Sequence, residues 1–306
     1  MQTSSKPELS VVIPTIEEEG VFEVIESIRK LFGSGTEIIV VDKSSDAYFK
    51  RLQAAGVTAV RQKGSGVERA VAQGMRLAHG DIIATIDGDG THEVSGLEKA
   101  VDKIRRGEAD IVLGNRLAGL HKGSMTAYVR IGNTLLSWLF SRLYKVKVHD
   151  ILTGLFAVRA SAFEQVMGIE PYRAGVATTY AIELLAKGYR LAEIDISYYK
   201  RKAGTPRIAR HKTGYALNVA ANIIRQVRDY SPLLIFGLFG VVLLVAGLVI
   251  GIAVLLNFAA TGQFNEVGRA LIAFMLAVLG MLSIFVGIML DLLLEIDREV
   301  REIKAK

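Results

Sequence analysis

The chain has 306 residues, of which 51% are hydrophobic, and it contains no cysteine, so disulfide bonds and thiolate metal sites are excluded. Its formal charge is +6, and its mean hydropathy of +0.34 is too high for an ordinary soluble enzyme. The apolar excess lies at the C-terminal end, which predicts a mixed-polarity domain followed by membrane helices. The cations cluster between Lys200 and Arg228 and again after Arg298, where an anionic membrane surface is a better partner than nucleic acid.

Short apolar strands alternate with amphipathic helices through most of the chain. The strands are predicted at 9–13, 37–42, 57–60, 81–86, 109–114 and 191–199. Helical spacing of apolar residues predicts helices at 17–32, 66–79 and 179–187, and residues 149–159 are predicted to form a turn that leads into a further strand. Ser44, Ser45 and Asp46 are available to cap a helix after the second strand. Strands separated by helices pair in parallel, so we predict an open α/β sheet that binds ligands at the carboxyl ends of its strands.

One predicted strand runs directly into two carboxylates, Asp87 and Asp89. Residues i and i+2 of an extended chain point to the same side, so both carboxylates can face one point. A divalent cation such as Mg²⁺ or Mn²⁺ would relieve their repulsion, because such ions prefer oxygen ligands. A simple Asp-Gly turn is the alternative interpretation. Asp42 ends an earlier predicted strand, and Arg116 follows a later one, so both are expected at the same edge of the sheet.

The segment 124–144 is predicted to be an unusually apolar helix, in which Tyr128 and Trp138 stand beside Arg130 and Arg142. Aromatic rings and long cationic side chains suit a helix at a membrane interface. A buried core helix is the alternative interpretation.

The C-terminal part predicts a membrane anchor. Residues 200–214 are predicted to form a basic loop that could close over a phosphorylated substrate, and simple solvated charge is the alternative interpretation. Residues 215–230 are predicted to form an amphipathic juxtamembrane helix. The uncharged stretches 233–256 and 270–290 are each long enough to cross a bilayer of about 30 Å. The predicted divisions are therefore a catalytic domain at 1–199, the loop and helix at 200–231, two transmembrane helices within 232–294 and a basic tail at 295–306.

The basic flanks of the hairpin place the catalytic domain and both termini in the cytoplasm by the positive-inside rule. Small-residue spacing in the first span permits either a homo-oligomer or close packing within the hairpin itself. The residues that create this spacing are Gly237, Gly240, Gly247 and Gly251.

These features together resemble the family-2 glycosyltransferases with the GT-A fold, in particular the dolichol-phosphate mannose synthase and polyprenyl-phosphate glucosyltransferase branch. The resemblance covers residues 9 to about 214. It rests on Val-Val-Ile-Pro-Thr-Ile-Glu-Glu-Glu at 11–19, Ile-Ile-Val-Val-Asp at 38–42, the stretch 80–92, Gly-Asn-Arg at 114–116 and Asp-Ile-Leu-Thr-Gly-Leu-Phe-Ala-Val-Arg at 150–159. It implies an enzyme that moves a hexose from a nucleotide sugar to dolichyl or polyprenyl phosphate, for glycoprotein or cell-surface glycan assembly.

The resemblance also implies roles for individual residues. The implied nucleotide-binding residues are Pro14, Thr15, Glu18, Asp42 and Asp87. The implied metal ligands, for Mg²⁺ or Mn²⁺, are Asp87, Asp89 and Thr91. The implied clamp on the acceptor phosphate is Arg116 and Arg130, with Thr134 and Arg201 beside it. Asp89, Arg116 and Arg130 are the implied catalytic residues, and Asp150 and Glu183 are candidates for orienting the acceptor loop.

Ordinary structural roles are the alternative for several of these residues. Asp42 could be a helix-capping or sheet-edge acid, Glu183 a helix-surface or sheet-edge acid, and Asp150 a purely structural residue. The two clamp arginines could make surface or lipid-headgroup contacts. Thr91 and Thr134 could simply bond to the backbone.

The sequence departs from the family pattern near the nucleotide. Glu17 replaces the usual Asn, and Asp42 is followed by Lys43 instead of a second acid. The archaeal dolichyl-phosphate hexosyltransferases of N-glycosylation resemble this Asp-Lys-Ser-Ser pattern most closely and use UDP-sugars. UDP-glucose or UDP-N-acetylglucosamine is therefore favoured over GDP-mannose.

The expected mechanism is a single in-line displacement, in which an acceptor phosphate oxygen attacks the anomeric carbon and inverts it. A phosphate monoester is largely ionised at neutral pH, so this reaction needs no strong general base. One alternative is an enzyme of the same fold that acts on a hydroxyl acceptor, which would need a carboxylate base such as Asp150. Another is a non-catalytic sensor or scaffold that binds sugar nucleotides.

Overall fold

The computed structural model describes residues 6–171, 175–201, 232–263 and 265–305. The chain divides into two compact units, residues 1–222 and 223–306. The predicted helix at 215–230 and most of the predicted basic loop, from residue 202 onward, lie outside the described residues.

The first unit is built on a mixed, mostly parallel sheet in the order β3-β2-β1-β4-β6-β5-β7. Its strands are β1 (Leu9–Thr15), β2 (Glu37–Asp42), β3 (Thr58–Arg61), β4 (Ile82–Thr85), β5 (Ile111–Leu120), β6 (Phe156–Arg159) and β7 (Leu191–Tyr198). Neighbouring strands are parallel except that β6 is antiparallel to both β4 and β5. This architecture confirms the predicted fold class and brings the carboxyl ends of β1, β2 and β4 to one edge.

Helices cover both faces of this sheet. They are α1 (Gly20–Phe32), α2 (Asp46–Ala54), α3 (Val67–Arg76), α4 (Ser95–Arg105), α5 (Ala127–Tyr144), α6 (Ala160–Glu164) and α7 (Val176–Ala186). Apolar residues of α1 and α4 at helical spacing meet alternate residues of β1 and β4 in one buried core, which includes Ile25, Leu97, Val11 and Ile13. Each such side chain contributes about 1.5–3 kcal/mol through burial. On the opposite face α3 lies so close to the sheet that a Cβ on Gly74 would be 2.4 Å from Val12.

Two element boundaries and one helix cap near the candidate site differ from the sequence prediction. Strand β1 continues through Pro14, because Pro14 and Thr15 still pair with β2. No β4 residue pairs with Pro14, so the N–H that proline lacks costs the sheet no hydrogen bond there. Helix α1 starts at Gly20, not at Glu17, because Glu17 has a left-handed φ of 48°. Helix α2 begins at Asp46, and its N-cap residue Ser45 makes no side-chain capping bond. The neighbouring Ser44 hydroxyl donates to Asp42 and accepts from the Glu17 N–H.

Strand β5 extends well past the predicted end at residue 114. It pairs with β7 in two registers, separated by an irregularity between Asn115 and Gly119. Arg116 therefore lies within an irregular stretch of the strand and not after it. Such irregularities redirect side chains next to functional sites.

Helix α5 has an inner face that carries polar as well as apolar side chains, and an outer face that is mainly apolar. Asn133, Ser137 and Phe140 are buried, and Ser137 Oγ accepts a hydrogen bond from the Ile151 N–H at 3.0 Å. The outer side chains are largely exposed, and they include Tyr128, Val129, Ile131, Leu135 and Trp138. The interpretation of this segment as a buried core helix is therefore wrong.

The second unit is a pair of long apolar helices, α8 (Pro232–Thr261) and α9 (Val267–Ala305), so α9 runs on through most of the predicted tail. Within them, Ile235–Thr261 and Val267–Leu294 are long and apolar enough to cross a membrane, with mean hydropathies of 3.0 and 2.7. The helices pack closely at glycine, since a Cβ on Gly240 would lie 2.6 Å from the Gly280 carbonyl oxygen. A Cβ on Gly247 would lie 2.8 Å from the Ala273 carbonyl, so both glycines serve contact within the hairpin.

Candidate active site

The carboxyl end of β4 brings two carboxylates and an imidazole together. Strand β4 ends at Thr85, and the turn that follows carries Asp87, Asp89 and His92. One potential ligand atom from each of these three residues lies within 4.8 Å of the others. The predicted convergence of the two carboxylates is therefore present, and an imidazole that the sequence prediction gave no role stands beside them.

Asp87 lies in an environment that opposes its charge. Burial, and then repulsion from Asp89, raises the pKa of Asp87 to about 7, although the positive charges of Arg116 and Arg201 act in the other direction. The backbone of Gly154 lies against this carboxylate, because a Cβ there would be 2.5 Å from Oδ2 of Asp87. A carboxylate pair held this close without a full countercharge is suited to a divalent cation.

His92 is fully buried beside Asp87. Its Nδ1 lies 3.6 Å from Oδ2 of Asp87, and its Nε2 has no hydrogen-bond partner among the described residues. Burial, followed by the charge of Arg116, lowers the pKa of His92 to about 4, so the ring is neutral at physiological pH. A neutral imidazole is the form that binds metals.

Asp89 is oriented from two sides. The backbone N–H and the hydroxyl of Thr91 donate to Oδ1 of Asp89 at 3.0 and 2.7 Å. On the other side, Nη2 of Arg201 lies 2.9 Å from Oδ2 of Asp89 and 3.1 Å from Oε1 of Glu18. Arg201 thus joins the predicted metal carboxylate to the predicted nucleotide residue Glu18.

Arg116 and Asp150 form a buried bidentate ion pair. Nε and Nη2 of Arg116 donate to the two carboxylate oxygens of Asp150 at 2.7 and 2.9 Å, and Nη2 also donates to the Leu152 carbonyl at 2.7 Å. Asp150 further accepts from the Asn133 amide at 3.4 Å and is fully buried. Burial acts to lower the pKa of Arg116, but the Asp150 charge outweighs it and the pKa is raised, so Arg116 is permanently charged.

Part of the Arg116 guanidinium remains available. Within the described residues, Nη1 makes no hydrogen bond. Arg116 holds the Leu152 carbonyl, and two residues further on the Gly154 backbone lies against Asp87, so Arg116 and the carboxylates share one edge of the sheet. An immobilised guanidinium with a free edge is well suited to an anionic oxygen.

The predicted nucleotide residues lie at the ends of β1 and β2. Thr15 is buried, with its hydroxyl 3.4 Å from the phenol oxygen of Tyr48, which donates to the Glu18 carbonyl at 2.6 Å. Asp42 is also buried, and its oxygens accept from the Ser44 N–H and from Nη1 of Arg61, each at 3.1 Å. Pro14 is half-buried in β1.

The two departures from the family pattern also have defined places. The Glu17 carboxylate accepts from the Ser45 N–H at 3.3 Å. The Lys43 ammonium donates a hydrogen bond to the Gly64 carbonyl at 3.0 Å.

Three predicted residues make no recorded contact with this cluster in the described part of the chain. The Arg130 side chain is exposed on the first turn of α5. The Thr134 hydroxyl donates to the Arg130 carbonyl at 3.0 Å, which is the backbone bond named as its alternative. Glu183 is half-buried on α7.

Sequence reasoning missed three contributors. His92 had a signal in its position, because it lies three residues after Asp89 on the same turn. Tyr48 and Gly154 reach the site only through tertiary contacts. Tyr48 bonds to Glu18, which is 30 residues away in the sequence, and Gly154 lies against Asp87 from across the sheet.

The donor set fits a divalent metal. Two carboxylates that repel each other supply hard oxygen ligands, and a buried neutral imidazole supplies nitrogen. Imidazole and carboxylate together suit Mn²⁺, and carboxylates alone also suit Mg²⁺.

The chain is similar to known proteins over much of its length. The profile of the family described as "Glycosyl transferase family 2" matches residues 10–167. Glycosyltransferase AglJ of Haloferax volcanii is 26% identical over 292 residues, which cover 94% of this chain and 94% of that protein. A dolichyl-phosphate hexose transferase of the same organism is 29% identical and covers 65% of this chain and 86% of that protein.

A solved structure shares the fold. Glucosyl-3-phosphoglycerate synthase from Mycobacterium tuberculosis, solved with Mn²⁺, UDP and phosphoglyceric acid, matches with a TM-score of 0.56 at 21% identity. The match covers 72% of this chain and 78% of that one. The family profile spans more than half of the chain, including the metal-competent turn after β4. The chain therefore belongs to glycosyltransferase family 2, and it is a glycosyltransferase built on the GT-A fold.

Proposed function

We propose that this enzyme transfers a hexose from a nucleoside-diphosphate sugar to a polyprenyl phosphate such as dolichyl phosphate, with inversion at the anomeric carbon. The observation that carries the proposal is the meeting of the Asp87–Asp89–His92 cluster with the immobilised Arg116 at one edge of the sheet. A carboxylate cluster can hold the metal that a nucleoside-diphosphate sugar needs, and a buried guanidinium can bind the phosphate of the acceptor.

The donor half of the proposal rests on Asp87 and Asp89. A divalent metal held by this cluster would supply neutralisation of the leaving diphosphate. We propose that Glu18, Thr15 and Asp42, at or just beyond the ends of β1 and β2, hold the nucleoside. UDP-glucose and UDP-N-acetylglucosamine are the favoured donors, and GDP-mannose is the third to test, because the residues around Asp42 follow the Asp-Lys-Ser-Ser pattern.

The acceptor half rests on the state of Asp150. A hydroxyl acceptor needs a carboxylate base, yet Asp150 is fully buried and both of its oxygens accept hydrogen bonds from Arg116. A phosphate acceptor brings its own charged oxygen and needs only cationic donors. Nη1 of Arg116 supplies such donors, with the exposed Arg130 as a further candidate.

The lipid character of the acceptor is supported by relatives and by composition. A dolichol-phosphate mannosyltransferase of Pyrococcus furiosus is 28% identical over 211 residues, and a dodecaprenyl-phosphate galacturonate synthase of Rhizobium johnstonii is 29% identical over 214 residues. We propose that helices α8 and α9 anchor the enzyme as two membrane spans, with the catalytic unit and both termini in the cytoplasm. The apolar outer face of α5 would then lie at the membrane surface.

The test is sugar transfer by the full chain in detergent. Radiolabelled UDP-glucose, UDP-N-acetylglucosamine and GDP-mannose are each offered with dolichyl phosphate and Mn²⁺, and the organic-soluble product is measured. We expect product from one donor, abolished by chelation and by Asp89→Ala but not by the control Asp102→Asn, which removes an exposed carboxylate on α4. Nucleotide binding without product from any donor would overturn the proposal in favour of a sugar-nucleotide sensor.

A further inference from the structure

The turn after β4 offers two candidates for a third metal ligand, Thr91 and His92, and the structure treats them differently. The Thr91 hydroxyl donates its proton to Oδ1 of Asp89 at 2.7 Å, and the Thr91 N–H donates to the same oxygen at 3.0 Å. Thr91 therefore already has a partner, and its geometry is that of a residue that orients Asp89.

The His92 ring is directed at the carboxylates. Its Nδ1 lies 3.6 Å from Oδ2 of Asp87, and a ring nitrogen of His92 belongs to the group of three ligand atoms that lie within 4.8 Å of one another. This spacing leaves room for an ion between the three atoms, since metal–ligand bonds to oxygen and nitrogen are about 2.0–2.2 Å long.

The ring is also held in place. His92 forms an isolated antiparallel bridge with Tyr198, and the two rings meet edge to face with centroids 5.1 Å apart. The neighbouring Tyr199 N–H donates to the Thr91 carbonyl at 2.8 Å. A ligand whose rotamer is fixed by packing binds an ion without further loss of side-chain freedom.

The hydrogen bonding of His92 is incomplete. The side chain is fully buried, and its Nε2 finds no partner among the described residues. The Thr91 hydroxyl lies 3.4 Å from Nδ1 of His92 but donates its hydrogen to Asp89, so the lone pair of Nδ1 is left for a metal. The unpaired Nε2 would carry the ring hydrogen, so it does not itself indicate ligation.

We propose that Nδ1 of His92 is the third protein ligand of the divalent metal, and that Thr91 is a positioning residue that orients Asp89. The inference rests on the proposed function only in assuming that a metal binds at the carboxylate pair. One consequence follows for selectivity. Imidazole nitrogen raises affinity along the series from Mg²⁺ to Mn²⁺ and beyond, so His92 makes the site prefer Mn²⁺ to Mg²⁺.

The direct test is electron–nuclear double resonance on the full chain in detergent, labelled with ¹⁵N-histidine and loaded with Mn²⁺, with and without UDP. We expect a ¹⁵N coupling of a directly bound nitrogen, which His92→Gln removes and which the control His121→Gln, at an exposed residue, leaves intact. Bound Mn²⁺ without a ¹⁵N coupling would overturn the inference, whatever the transfer assay gives.

Metal titrations provide a second readout. His92→Gln should weaken Mn²⁺ binding by about tenfold or more and Mg²⁺ binding by less, while Thr91→Val weakens both ions to a similar degree. Wild-type Mn²⁺ affinity in His92→Gln would overturn the inference. A ¹⁵N coupling in a protein that transfers no sugar would support His92 as a ligand while contradicting the proposed function.

Discussion

The guanidinium of Arg201 bridges Asp89 and Glu18, with Nη2 at 2.9 Å from the first carboxylate and 3.1 Å from the second. Arg201 thus places a positive charge beside an acid that the metal needs and an acid that the nucleotide is expected to contact. A metal that binds Asp89 must share this carboxylate with Arg201 or displace it. The ion pair therefore links the start of the predicted basic loop to donor binding.

Removal of Arg201 should strengthen metal binding in the absence of nucleotide. An ion pair of this exposure contributes about 1 kcal/mol, so we expect Arg201→Ala to bind Mn²⁺ about fivefold more tightly, measured by loss of the free Mn²⁺ electron paramagnetic resonance signal. The matched control is Arg190→Ala, which removes an arginine paired with Asp110 at the opposite edge of the sheet. Weaker Mn²⁺ binding in Arg201→Ala would show that Arg201 supports the site and does not compete for it.

Neutralising Asp87 should stabilise the metal-free protein at alkaline pH. The folded pKa of Asp87, about 7, lies above the ordinary value of about 4, so the folded state binds this proton more tightly than the unfolded state does. The stability associated with Asp87 is therefore fully present below pH 4 and is lost as pH rises from about 4 to 7.

Asp87→Asn should escape this loss. We expect its Tm in a chelating buffer to exceed that of the wild type at pH 8 by a few degrees, corresponding to about 1 kcal/mol, and the difference to vanish near pH 4. The figure is small because 35% of the Asp87 side chain is exposed and water screens its charge. A variant less stable than wild type at pH 8 would mean that Arg116 and Arg201 already compensate Asp87 in full.

Gly154 should tolerate no side chain. A Cβ there would lie 2.5 Å from Oδ2 of Asp87, so Gly154→Ala must displace the carboxylate and should weaken Mn²⁺ binding at least tenfold. Gly168→Ala is the matched control, because its Cβ would meet no atom within 4 Å. Calorimetric Mn²⁺ titration of the two variants separates the contact with Asp87 from a general effect of replacing glycine. Equal affinities in both variants would contradict this account of Gly154.

Trp138 can report where α5 lies, because it is the one tryptophan of the chain and is 58% exposed on the outer face of that helix. In vesicles that contain acyl-chain-brominated lipid, we expect its fluorescence to be quenched strongly and to be shielded from aqueous iodide. This result follows if the outer face of α5 rests at the membrane surface. Quenching by iodide alone would place the outer face of α5 in water and contradict its proposed position at the membrane surface.

The sequence predicted the sheet and the carboxylate pair well because both depend on local patterns. Buried runs such as 38–41 and 82–85 are typical strands, and the Asp-Gly-Asp-Gly turn places its carboxylates without help from distant residues. The antiparallel direction of β6 and the extension of β5 past Arg116 depend on pairing between strands that are distant in sequence.

The ion pairs of the site also join residues that are distant in sequence, so they could not be predicted from local patterns. Asp150 lies 34 residues from Arg116, and Arg201 lies 112 residues from Asp89, so no local pattern could join them. Glu17, in contrast, was visible in the sequence as a departure from the family pattern. In the structure it has a left-handed φ of 48°, a conformation that Asn adopts more readily than Glu.

The most direct test of the central claim compares two acceptors that differ only in the phosphate. The wild-type enzyme and Asp150→Asn are each assayed with dolichyl phosphate and with free dolichol, using whichever nucleotide sugar is active. We predict product from dolichyl phosphate alone. We also predict that Asp150→Asn raises the KM for this lipid more than it lowers kcat, because Arg116 loses its fixed orientation. Transfer to free dolichol that disappears in Asp150→Asn would instead identify Asp150 as a general base and contradict the phosphate-acceptor account.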